Sequence, residues 1–180
     1  MKIHPFVLTG IMIVLGIGSR LLPHTWNITP LVAILLFIST YAGFRYSVTA
    51  LFATLVVSDL FIGFYSTPIM FSVYGSFMVA SVLGMYIRKQ KSPIRIVGGA
   101  ALSSLIFFLI TNWAVWQFGT MYDPSWNGLI TSYMMGLPFF KNSFIGDVGY
   151  TVLFFGIYEY GTLFIRSRKN VQTLPYSITK

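Results

Sequence analysis

The chain contains no cysteine, which excludes disulfides, thiolate metal sites and a thiol nucleophile. Acid is scarce as well: four Asp and Glu stand against twelve Lys and Arg, for a net charge of +8. Charged residues make up only 9% of the 180 residues, where a soluble domain carries about a quarter. So little polar surface cannot cover a globule in water, and the high apolar content excludes a disordered chain. The excess of base does not indicate a nucleic-acid partner, because its placement has another explanation given below. Catalytic signatures are missing too. There is no Gly-Lys pair for a phosphate-binding Walker loop, no HExxH and no GxSxG.

What the chain has in abundance is apolar sequence, 56% of its residues, with a mean hydropathy of +0.75. These residues fall in long blocks, and a bilayer core asks for about 20 apolar residues per helix. Six blocks qualify: Phe6–Leu22, Ile28–Phe44, Ser47–Phe64, Ile69–Ile87, Ile96–Phe118 and Phe144–Ile165. The first follows Lys2 and His4 as a signal peptide would, but it runs through Gly18 to Arg20 and Pro23 without a small-x-small cleavage site. It is expected to be a retained span. A seventh candidate, Gly128–Phe140, is short for a crossing and is expected to be re-entrant or interfacial.

Charge chooses between six and seven crossings. With six, and the N-terminus cytoplasmic, the inside collects Lys2, Arg45, Arg88, Lys89, Lys91, Arg95, Arg166, Arg168, Lys169 and Lys180. The outside keeps Lys141, with Arg20 near the outer end of the first span. That bias obeys the positive-inside rule and accounts for the basic loops. The expected fold is therefore all-α: a polytopic protein of six transmembrane helices with both termini cytoplasmic. Residues 1–165 form the transmembrane domain and residues 166–180 a basic cytoplasmic tail. The expected location is the inner (plasma) membrane of a bacterium.

Polar and aromatic residues gather on the outer side of this topology: Arg20, His24, Trp26, Asn27, Asp59, Asn112, Trp116, Trp126, Lys141, Asn142 and Asp147. All four tryptophans lie there, whereas an interfacial aromatic belt would populate both faces. A few polar groups among aromatics is the lining a small-molecule pocket needs. These eleven residues are the candidate substrate-binding set. Arg20 and Asp59, opposite charges at similar depth in the first and third spans, are expected to pair. Ser72, Ser76, Ala80 and Gly84 recur every fourth residue and form a slim face for helix packing. Tyr122-Asp123 and Gly146-Asp147 are similar to the two motifs of intramembrane aspartyl proteases, although the second wants a glycine where Phe144 stands. No metal site and no cofactor are expected.

The segments Arg20-Leu-Leu-Pro23-His24-Thr-Trp-Asn27-Ile-Thr-Pro30 and Gly136-Leu-Pro138-Phe139-Phe140-Lys-Asn142, on to Gly146-Asp147, resemble an uncharacterised family of small bacterial membrane proteins. In architecture the chain is similar to the substrate-binding S components of energy-coupling-factor transporters. That resemblance implies a six-helix subunit that captures a small solute from outside without catalysis. Its implied partner is a transmembrane coupling protein with ATPase subunits. The alanine-x-x-x-alanine docking signature of that family is absent from the first span, where Gly10, Gly16 and Gly18 stand. An alternative resemblance is to the MreD-type cell-shape protein, a small membrane scaffold. An intramembrane aspartyl enzyme is a third expectation of lower weight.

Overall fold

A computed structural model describes the backbone of residues 4–22 and 28–172, with side chains through residue 164. Six helices make up these residues: α1 Pro5–Leu21, α2 Leu31–Tyr41, α3 Phe44–Ile62, α4 Thr67–Lys89, α5 Pro93–Phe118 and α6 Trp126–Gln172. Proline opens α1, α4 and α5, where its missing N–H costs no hydrogen bond and its φ suits the first turn. Ser92 caps α5 by accepting from the Arg95 amide. α3, α4 and α5 are long and apolar enough to cross a membrane.

α2 departs from expectation. The block Ile28–Phe44 was expected to span, yet the helix has 11 residues and is about 16 Å long at 1.5 Å per residue. Pro30 starts it. It ends where Gly43 takes a φ of 122°, a conformation that favours glycine, and Phe44 already belongs to α3. Every residue from Leu31 to Thr40 is buried, and α2 touches each of the other five helices. Its all-round apolarity thus faces protein on all sides.

Close approach holds this centre together. A Cβ on Gly84 would stand 2.6 Å from the Ser39 Cβ and 2.8 Å from the Leu36 carbonyl oxygen, so only glycine lets α4 lie so near α2. Ser39 donates to the Ser81 carbonyl at 2.6 Å, and Ser47 to that of Leu35 at 2.8 Å. These bonds tie α2, α3 and α4 at one end of the bundle. Phe37 and Tyr41 of α2 pack there on Phe155 and Tyr158 of α6. The Tyr41 hydroxyl donates to Glu159, which Lys91 also approaches. Arg88 lies against Gly43, so this is the basic end of the molecule.

The segment Gly128–Phe140 is not a separate re-entrant or interfacial piece. It is the first half of α6, a 47-residue helix of about 70 Å that runs antiparallel to α5. Ser132 donates to the Asn112 carbonyl at 2.9 Å and Tyr133 to that of Leu109 at 3.0 Å. Gly136 sits directly on the Asn112 side chain. Pro138 lies inside the helix. It removes one ladder hydrogen bond and crowds the preceding turn, but the side-chain bonds to α5 hold the segment in line. At its other end α6 runs past residue 165 to Gln172, so the boundary expected between domain and tail falls within a helix.

Candidate functional site

A layer of polar side chains crosses the bundle near the end opposite the basic one. Arg20, in the last turn of α1, reaches Asp59 on α3 with Nη2 at 2.6 Å from Oδ1. The Tyr74 hydroxyl of α4 donates to the second carboxylate oxygen at 2.9 Å. Asp59 is fully buried, whereas the Arg20 side chain keeps 17% of its exposure. Arg20 and Asp59 therefore form the ion pair expected of them, with a third helix tied in through Tyr74. Tyr65, in the α3–α4 turn, lies close enough that burial and then the Asp59 charge raise its phenol above the usual range.

Three clefts adjoin this layer. One of about 160 Å³ has Arg20 on α1 and Asp147 on α6 among its walls, with Thr29, Val32, Phe77 and Ser143. A second, of about 180 Å³, shares Arg20, Thr29 and Phe77 with the first. A third, of about 170 Å³, shares Phe107 and Ser143 with the first and extends between α5 and α6 past Ser104 and Asn112. The clefts share lining residues, and all six helices together with the residues before α2 contribute to them.

Asp147 is 6% exposed and forms no ion pair among the described residues. Its carboxyl lies beside the Ser104 hydroxyl, which itself makes no aligned hydrogen bond. The Arg20 Nε–H and the Thr151 hydroxyl, one turn beyond Asp147, are also buried without partners among the described residues. Buried polar groups are nearly always bonded, and three here, the Arg20 Nε–H and the Ser104 and Thr151 hydroxyls, stand without an aligned partner among the described residues.

The expected binding set divides accordingly. Arg20 pairs with Asp59 and lines one cleft together with Asp147, and Asn112 lines the adjoining cleft while its amide donates to the Phe108 carbonyl. Trp116 bonds the Asp123 carbonyl at 3.0 Å and so anchors the α5–α6 turn. Trp126 is 80% exposed and Lys141 is exposed; neither lines a cleft. Asn142 is half-buried one residue before Ser143. His24, Trp26 and Asn27 lie outside the described residues. Ser76, Ala80 and Gly84 of the slim face are buried, Gly84 against α2, and Ser72 bonds its own helix at Ile69.

Sequence reasoning passed over Thr29, Tyr74, Phe77, Phe107, Ser143 and the polar role of Ser104. Hydroxyls and phenyl rings within apolar spans carry no local mark of direction, and only Tyr74, at the depth of Asp59, had a usable signal. The two aspartates suggestive of a protease are far apart. Gly128 lies against Asp123, and about 28 Å of α6 separates Gly128 from Asp147, so the two carboxyls cannot share a proton. No group of three His, Asp or Glu suited to a metal occurs among the described residues.

No curated protein and no solved structure matches the chain. Residues 1–169 do match a family of unknown function, DUF6580. Because that match takes in nearly the whole bundle, including both sides of the polar layer, the chain belongs to this family.

Proposed function

We propose that the protein is an integral membrane solute-binding subunit, similar in plan to the S components of energy-coupling-factor transporters, which captures a small molecule from the outer side without catalysis. The observation that carries this reading is the group of clefts beside the Arg20–Asp59–Tyr74 layer that share lining residues, with Asp147 and Asn112 among them. Few polar groups, aromatic walls and incomplete hydrogen bonding are the marks of a ligand site.

Depth supports the reading. Along α5, Arg95 and Trp116 lie about 32 Å apart, close to the thickness of a bilayer core. Phe107, at the clefts, stands about 18 Å from Arg95, hence nearer the tryptophan end. With the basic end cytoplasmic, as the positive-inside rule asks, the clefts lie toward the outer face. Both termini are then inside, in the plasma membrane of a bacterium. The energising partner on this reading is a transmembrane coupling protein with ATPase subunits, which would dock at the basic end.

The scaffold reading is an analogy of architecture with the MreD-type protein, and a scaffold would offer the small-residue face of α4 to a partner. Gly84 on that face packs against α2 inside the bundle, which favours solute binding. The test is to extract the full chain in mild detergent and analyse bound small molecules by native mass spectrometry. A stoichiometric solute is expected, and Ser143→Phe, which fills two clefts at once, should release it. A chain that carries no solute, and whose cellular role is indifferent to Ser143→Phe, would refute the proposal in favour of the scaffold.

A further inference from the structure

The first cleft has a guanidinium and a carboxyl in its lining that do not pair with each other. Arg20 is already neutralised by Asp59, yet its buried Nε–H has no acceptor among the described residues. Asp147 is 6% exposed and has no cation within ion-pair distance among the described residues. The rest of the wall is mostly apolar, from Val32, Val73, Phe77 and Phe107. We propose that this cleft takes a small zwitterion whose ammonium meets Asp147, whose carboxylate meets Arg20, and whose apolar body lies among the four apolar side chains. This rests on the solute-binding reading above and names the class of solute.

Each simpler ligand leaves something unsatisfied. A bare metal cation would meet side-chain oxygens only from Thr29, Ser143 and Asp147, where hard cations take roughly six oxygens, and Arg20 in the same lining would oppose it. A simple anion would satisfy Arg20 but bring no hydrogen-bond donor to the Asp147 carboxyl. A neutral apolar solute would displace water from both charged groups and return no hydrogen bond, the costly case for buried polar atoms. A zwitterion supplies one charge-assisted bond to each of the two groups. At about 160 Å³ the cleft has room for about five waters at about 30 Å³ each, so a molecule of about a dozen heavy atoms would extend into the clefts that share its lining residues.

Four probes with one phenyl body separate these cases: phenylalanine with both charges, phenethylamine with the cation, 3-phenylpropionate with the anion, and 2-phenylethanol with neither. Each is titrated against the purified full chain in detergent, with thermal stability as the readout, since a ligand of the folded state raises the melting temperature. Phenylalanine is expected to bind tightest. Asp147→Asn, which keeps the shape of the side chain, should weaken phenylalanine and phenethylamine at least about tenfold, the loss of one charge-assisted bond. The same change should strengthen or spare 3-phenylpropionate, which also shows that the variant is folded. Binding of 3-phenylpropionate or 2-phenylethanol as tightly as phenylalanine overturns the zwitterion while leaving solute capture in place. Silence of all four probes overturns it as well, and a solute retained through purification then decides separately whether the cleft binds anything.

Discussion

Replacing Arg20 by leucine leaves Asp59, fully buried, with only the Tyr74 hydroxyl as a partner. Breaking a buried ion pair from one side costs about 3–5 kcal/mol, because the remaining charge is desolvated and uncompensated. The lower end applies here, about 3 kcal/mol, since the Tyr74 bond persists. Asp59→Leu is the milder change. The Arg20 side chain retains 17% of its exposure and, at the end of α1, can carry its charge toward water. About 2 kcal/mol is expected for the charge, and somewhat under 1 kcal/mol for the hydrogen bond that Tyr74 loses between helices. The double variant removes both charges and should be no worse than the more damaging single change, since well-packed apolar replacements of buried pairs are often neutral. The resulting coupling is about 2–3 kcal/mol. The assay is reversible unfolding of all four proteins in mixed micelles with increasing SDS. Losses that add to within about 0.5 kcal/mol would refute the pairing as a source of stability and free Arg20 for a ligand alone.

Two more expectations follow from packing and from sidedness. Gly84→Ala should cost about 1–3 kcal/mol, because its Cβ would press on the Ser39 side chain and the Leu36 backbone; Gly75→Ala on the same helix, with open space around it, should be neutral or slightly stabilising. Equal tolerance of both in the micelle assay would show that α2 and α4 do not approach so closely. In the cysteine-free chain, Cys introduced at Ser92 should resist an impermeant thiol reagent in intact cells while Cys at Ser125 reacts. Labelling of both without permeabilisation would overturn the six-crossing arrangement.

Much of this molecule was legible in the sequence because the relevant physics is local or one-dimensional. Apolar block length and the prolines near block starts mark six helices, all-α, with ends within a few residues for α1, α3, α4 and α5. Arg20 and Asp59 could be matched because isolated opposite charges in apolar helices have few ways to lower their cost. Three things had to come from the tertiary structure. An all-round apolar helix looks the same whether lipid or protein surrounds it, so only the packing shows that α2 is sheathed by five neighbours and shortened to 11 residues. Pro138 and Lys141 have the local appearance of a helix boundary, and only the bonds from Ser132 and Tyr133 to α5 carry α6 through them. The placing of Asp147 and Arg20 in the lining of one cleft joins residues far apart in the chain. Sequence patterns report which side chains share a face of one helix, whereas which faces meet is decided by packing all six together.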